Sequence, residues 1–160
     1  MPTATYDLIQ SQTLGSSAST VTFSSLGSYQ DLVLIVQGTH TAVSSSLDYL
    51  TFNGSASSYD SATNYASAAG ATANGGSYTT AYLQINNVGT DPFMLHIDIF
   101  NYRSTDTQKH YISKGSSGQR SYDMNVGRWI STSAVTSVEV NTLSSFASGT
   151  TFNLYGISVA

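Results

Sequence analysis

Residues 93–102 read FMLHIDIFNY, with Phe93, Leu95, Ile97 and Ile99 on one side of a two-residue period and Met94, His96, Asp98 and Phe100 on the other. That period belongs to a strand with one face turned to a core. It is the strongest alternation in the chain. The Asp91-Pro92 break before it sets its start.

Working outward, residues 29–37 contain the consecutive run Leu32, Val33, Leu34, Ile35 and Val36, which suits a strand covered on both faces. The β-branched content of the run and the nearby Gly38 argue against a helix. Residues 6–14, 20–23 and 47–52 read as further strands, the last ending in the turn signal Asn53-Gly54. Residues 78–87 place Ala81, Leu83 and Ile85 on one face and Tyr82 and Gln84 on the other. Residues 108–114 are expected to carry Tyr111 and Lys109 on opposite faces, with a turn at 115–118 leading to a strand over 121–130 that holds Tyr122, Met124, Val126 and Trp129. Residues 135–140 point Val138 and Val140 inward, and 152–159 close the set. In that last strand Phe152 and Leu154 should be buried, with Tyr155 and Ile157 on the opposite face.

Nine or ten short strands separated by Gly, Ser, Asn and Thr turns, with no helix, indicate an all-β, antiparallel, jelly-roll-like sandwich. A single domain is expected over residues 1–160. Residues 55–77, SASSYDSATNYASAAGATANGGS, lack a core-building pattern and read as a long Gly/Ala/Ser-rich loop or arm. Phe93–Ile99 and Trp129 are the expected core.

Charged residues are 9% of the chain against about a quarter in ordinary domains, while the 40% apolar fraction sits in short alternating runs and supports folding. The net charge of −4 argues against phosphate-neutralising nucleic-acid binding. The five basic residues, Arg103, Lys109, Lys114, Arg120 and Arg128, fall in one stretch, either as a locally positive surface or as charges that protect strand edges. The chain has no cysteine, so a disulfide, a thiolate metal site and a cysteine nucleophile are excluded. No signal-like segment opens the chain and no apolar run is long enough to span a membrane as a helix.

Catalytic chemistry finds little support. Glu139 is the one glutamate, the eight aspartates are scattered, and no GxSxG or phosphate-cradling loop occurs. His40, His96 and His110 lie far apart; only His96 and Asp98, two residues apart, share a strand face, and a local polar pair accounts for them better than a metal. Asp60 with Asn64, or Asp48 with Asn53, could touch calcium, but no acidic loop surrounds them. No enzyme activity, cofactor or metal is expected. Tyrosine is the remaining candidate chemistry, since it offers a large contact area with one polar tip. Tyr49, Tyr59, Tyr65, Tyr78, Tyr82, Tyr102 and Tyr122 fit a sugar-stacking platform or a subunit interface, with packing at sandwich edges the alternative for each. The set expected to touch a partner is Tyr59, Tyr65, Tyr78, Tyr82, Tyr102, Arg103, Tyr122, Arg128 and Tyr155.

The segments TYDLIQSQTLGSSASTVTFSSL, DLVLIVQGT, LTFNG, IDIFNYRS, VGRWISTSAVTSVEV and FASGTTFNLYGI, in that order, resemble a family of small virion proteins of tailed bacteriophages. The most specific points are Arg128-Trp129 before a Ser/Thr-Ala turn and the terminal Leu154-Tyr155-Gly156-Ile157; residues 55–77 lie outside the likeness. The resemblance implies an all-β structural protein of the virion, foremost a capsid decoration (cement) protein on the capsid surface. It implies the major capsid protein as partner and a homotrimer as the favoured assembly, put together in the bacterial cytoplasm. A tail fibre or spike component that binds host carbohydrate, or a free carbohydrate-binding module, are the other readings. No catalytic residue carries over.

Overall fold

The computed structural model describes residues 5–42, 46–67, 74–80, 83–88, 91–117 and 120–158. Its centre is the strand read first: β8 (Phe93–Phe100) buries Phe93, Leu95, Ile97 and Ile99 as expected. On one side β8 pairs antiparallel with β3 (Asp31–Gly38), whose Leu32, Val33, Leu34 and Val36 are fully buried. Next comes β12 (Thr151–Ile157), then β1 (Tyr6–Thr13) at the edge. Phe152 and Leu154 point into the core and Tyr155 and Ile157 away from it, half-buried. A bulge at Ile9 of β1 turns that side chain onto the core while Leu8 stays outside.

A second sheet holds β2 (Ala18–Ser24), β11 (Ser137–Phe146), β4 (Ser46–Phe52) and β7 (Leu83–Val88), in that spatial order. The pairs β1·β12, β2·β11, β3·β8 and β4·β7 are all antiparallel, so the chain is one long hairpin rolled onto itself. That is the winding of a jelly roll. Two hairpins are inserted into it. One is β9 (Lys109–Ser117) with β10 (Arg120–Trp129), and the other is β5 (Tyr59–Ser67) with β6 (Asn74–Thr80). Both add to the far side of β8, which gives an eight-stranded sheet, β1-β12-β3-β8-β9-β10-β5-β6, facing the four-stranded one. The described residues hold twelve strands, more than the nine or ten expected, and no helix.

Several boundaries differ from the sequence reading. Residues 55–77, expected to be a loop or arm, contain β5 and the start of β6. The inward positions of β5 are Tyr59, Ser61, Thr63 and Tyr65, and an inward Ser/Thr pair hides the apolar alternation that marks a strand. The single strand expected over 78–87 divides between β6 in the large sheet and β7 in the small one; Ala81 and Tyr82 lie outside the described residues. β9 runs on through Gly115 to Ser117, across most of the turn expected at 115–118; Gly118 lies outside the described residues. Lys109 and Tyr111 are two residues apart and both point inward, correcting the expectation of opposite faces.

Lys109 is buried beside its cross-strand neighbour Trp129, and its ammonium donates to the carbonyls of Thr107 at 2.6 Å and Thr132 at 3.3 Å. Burial pulls its pKa below the usual lysine range.

The inserted hairpins are tied to the small sheet by polar side chains. The register of β4 with β7 slips at Ile85, which has no opposite residue. Its carbonyl is taken by Ser113 Oγ at 3.0 Å and Asn125 Nδ2 at 3.1 Å. The Tyr111 hydroxyl donates to the Gln84 carbonyl, its ring lying where a side chain on Gly127 would sit. Tyr111→Phe removes this donor and leaves the carbonyl short of a partner, so it should lower unfolding stability by about 1–3 kcal/mol in denaturant titrations. Burial also raises the pKa of Tyr111, and of Tyr59 and Tyr102, above the normal value of 10.0. Above pH 10 the unfolded chain therefore loses tyrosine protons first and stability falls. The fall should be shallower in Tyr111→Phe.

Candidate functional site

The inter-strand register aligns one row of side chains on the outer face of the large sheet, away from the core. It reads Leu8, Tyr155, Val33, Asp98, Ile112, Val126, Ala62 and Ser77, one from each of the eight strands. Only Asp98 and Ser77 interrupt an apolar belt. On the same face, Tyr6 and Ile157 lie to one side of it and Ile35 and Met124 to the other. Met94 and Tyr122 lie farther along. Val33 is fully buried yet outside the core, forming the floor of a depression of about 280 Å³ with Tyr6, Ile35, His96 and Tyr155 around it.

Exposure is concentrated here. Tyr6, Leu8, Met94, Tyr122, Met124 and Val126, each 43–56% exposed, are six of the eight large apolar side chains exposed among the described residues. Single exposed apolar residues are ordinary, but a contiguous face of them marks an interaction surface. The two internal methionines both sit on it, supplying unbranched side chains that adapt to a neighbour.

Two of the three carboxylates on this face are paired with cations; the third, Asp31 at the end of β3, accepts from the Asn101 amide at 2.7 Å. Asp98 faces His96 Nε2 at 3.1 Å and Lys114 Nζ at 3.5 Å. Asp60 receives Arg128 Nη2 at 2.8 Å and Nε at 3.2 Å on one oxygen, and the Thr79 hydroxyl at 3.1 Å on the other. The Arg128 guanidinium, then that hydroxyl, hold the Asp60 carboxyl below the usual carboxylate range. The pairing expected between His96 and Asp98 is thus present, joined by Lys114.

Of the residues expected to touch a partner, this face gathers Tyr122, Arg128 and Tyr155. Arg103 is exposed in the segment after β8, away from the belt. Tyr65 is half-buried on the inward side of β5, opposite Asp123. Tyr59 and Tyr102 are corrected to interior positions. The Tyr59 hydroxyl accepts from the Phe52 amide at 2.9 Å and donates to the Ser55 carbonyl at 3.2 Å. The Tyr102 hydroxyl donates to the Gly27 carbonyl at 2.9 Å and accepts from the Tyr29 amide at 3.3 Å. Tyr78 lies on β6 and Tyr82 beyond it; the side chain of the first and the whole of the second lie outside the described residues. Sequence reasoning turned Met94 away from the core but named none of Tyr6, Leu8, Met94, Met124 and Val126 as partner-facing. Their signal is an apolar residue on the second face of a strand already counted as half-buried.

Elsewhere, the basic stretch does not form one positive surface, because Lys109 is interior and Lys114 and Arg128 are paired with carboxylates. His40 and Asp48 form a second His–Asp contact at 3.0 Å with both side chains wholly buried, sealed from any substrate. Among the described residues no three His, Cys, Asp or Glu side chains cluster as metal ligands. Comparison with known proteins gives no match to any family model, curated protein or solved structure.

Proposed function

We propose that the chain is a non-catalytic structural protein of a tailed-phage virion, a capsid decoration protein that binds the major capsid protein on the outer shell as a homo-oligomer and stabilises it. The observation that carries the reading is the apolar belt with Asp98 and Asp60 neutralised, a surface suited to the homo-oligomeric contact such a protein makes. The resemblance to small virion proteins, which covers nearly the whole chain except residues 55–77, supports the same reading. Repeating a modest contact across a lattice retains such a protein firmly without any single tight interface.

Purified chain added to shells lacking it should sediment with them at a saturating ratio and raise their disruption temperature. Absence from the shell pellet, together with binding to an immobilised glycan, would replace this reading with a tail-appendage one.

A further inference from the structure

We infer that the apolar belt is a self-association surface: the outer face of the eight-stranded sheet seats the same face of a second copy of this chain. The inference stands apart from the virion reading, since it names what covers the belt whatever the assembly serves. The first argument is area. Eight strands at ~4.8 Å spacing and seven residues at ~3.3 Å rise give a face of roughly 35 by 23 Å, or ~800 Å². A standard stable interface covers about 800 Å² on each partner, so the face alone suffices.

The second argument is charge. A chain of net charge −4 should repel its own copy, but on this face Asp98 is set against Lys114 and Asp60 against Arg128. Two such belts can approach with their central carboxylates already neutralised, Asp31 lying in the end row beside Tyr6 and Ile157, whereas a strongly basic or acidic partner would find little net field to match along the belt. The third is shape. The belt crosses every strand of the sheet, and a broad face that meets itself does so about a two-fold axis, as two stacked sheets do. The pairing is therefore a dimer, in place of the homotrimer implied by the family resemblance. The depression floored by Val33 and the exposed Met124 and Leu8 supply complementary hollows and knobs.

Sedimentation velocity on the full chain at low-micromolar concentration should show a species of twice the chain mass. Val126→Lys and Leu8→Lys change exposed side chains and should leave the circular dichroism and melting temperature as in the wild type. Each places a charge in the belt, and together they should weaken the dimer at least about 100-fold. Leu143→Lys, on the small sheet, should leave it intact. A monomeric wild type, a trimer, or a dimer indifferent to the belt variants would overturn the assignment. So would a monomer whose shell binding is lost in Val126→Lys, which would give the face to the capsid protein. A dimer that fails to bind shells would keep the inference and remove the decoration reading.

Discussion

Trp129→Ala should cost about 3–5 kcal/mol of unfolding stability, the range for emptying a large aromatic site in a packed core. Trp129 is 6% exposed and ends β10 in the large sheet. Its ring stacks on Tyr59 of β5 with centroids 6.2 Å apart and meets Phe52 of β4 edge-on at 6.0 Å. This triad therefore links both inserted hairpins to the small sheet. The loss has two parts, the transfer energy of the indole and the cavity left between layers that are held apart by strand backbones and cannot collapse. Trp129→Phe fills most of the volume and should recover more than half of the loss. Denaturant titrations followed by far-ultraviolet circular dichroism decide it; a cost below about 1 kcal/mol would mean that the triad is dispensable.

The second large effect is expected at Asp48. Its carboxylate contacts His40 Nε2 at 3.0 Å, and both side chains are completely buried. With Asp48 Oδ1 as the acceptor, Nε2 carries the proton of this contact. The His40 ring is packed against Phe93 at a centroid distance of 4.6 Å and lies 5.2 Å from Phe146. It has no room to swing out to water, and its Nδ1 already lacks a partner among the described residues. Asp48→Ala would strip the partner from the other nitrogen, and breaking a buried pair from one side costs about 3–5 kcal/mol. Asp48→Asn keeps an accepting oxygen in nearly the same volume and should cost less, about 1–2 kcal/mol. Equal losses in the two variants would show that charge, not the accepting oxygen, is what His40 requires.

How far the sequence could be read depends on what each strand faces. β8 and β12 were legible because one of their faces meets the hydrophobic core and nothing else, which leaves a clean two-residue period. β3 was legible for a related reason, since Val33 on its outer side is covered by its neighbours and the run shows no break. β5 was hidden because Ser61 and Thr63 take its inward positions, opposite Gly127 and Asn125 of the polar part of the interior. The division of residues 78–87 was hidden too, since the same alternation serves a strand of either sheet. The His40–Asp48 contact joins residues on either side of the passage from β3 to β4, and a spacing of eight residues has no periodic meaning in a β protein.

The belt is a different case. Leu8, Val126 and Tyr155 are each plain in the sequence, but it takes the register of eight strands to align them into one surface. Nothing in a single strand tells a core face from a face kept for a partner. The tyrosines divide along the same line: Tyr59 and Tyr102 serve the interior, while Tyr122 and Tyr155 lie on the outer face.

The proposed role is tested most directly by the abundance of this chain in purified virus particles, measured by quantitative mass spectrometry against the major capsid protein. A decoration protein should be present at a copy number of the same order as the shell subunit and should remain with the shell when tails are removed. A handful of copies per particle, or recovery only with the tail fraction, would contradict it.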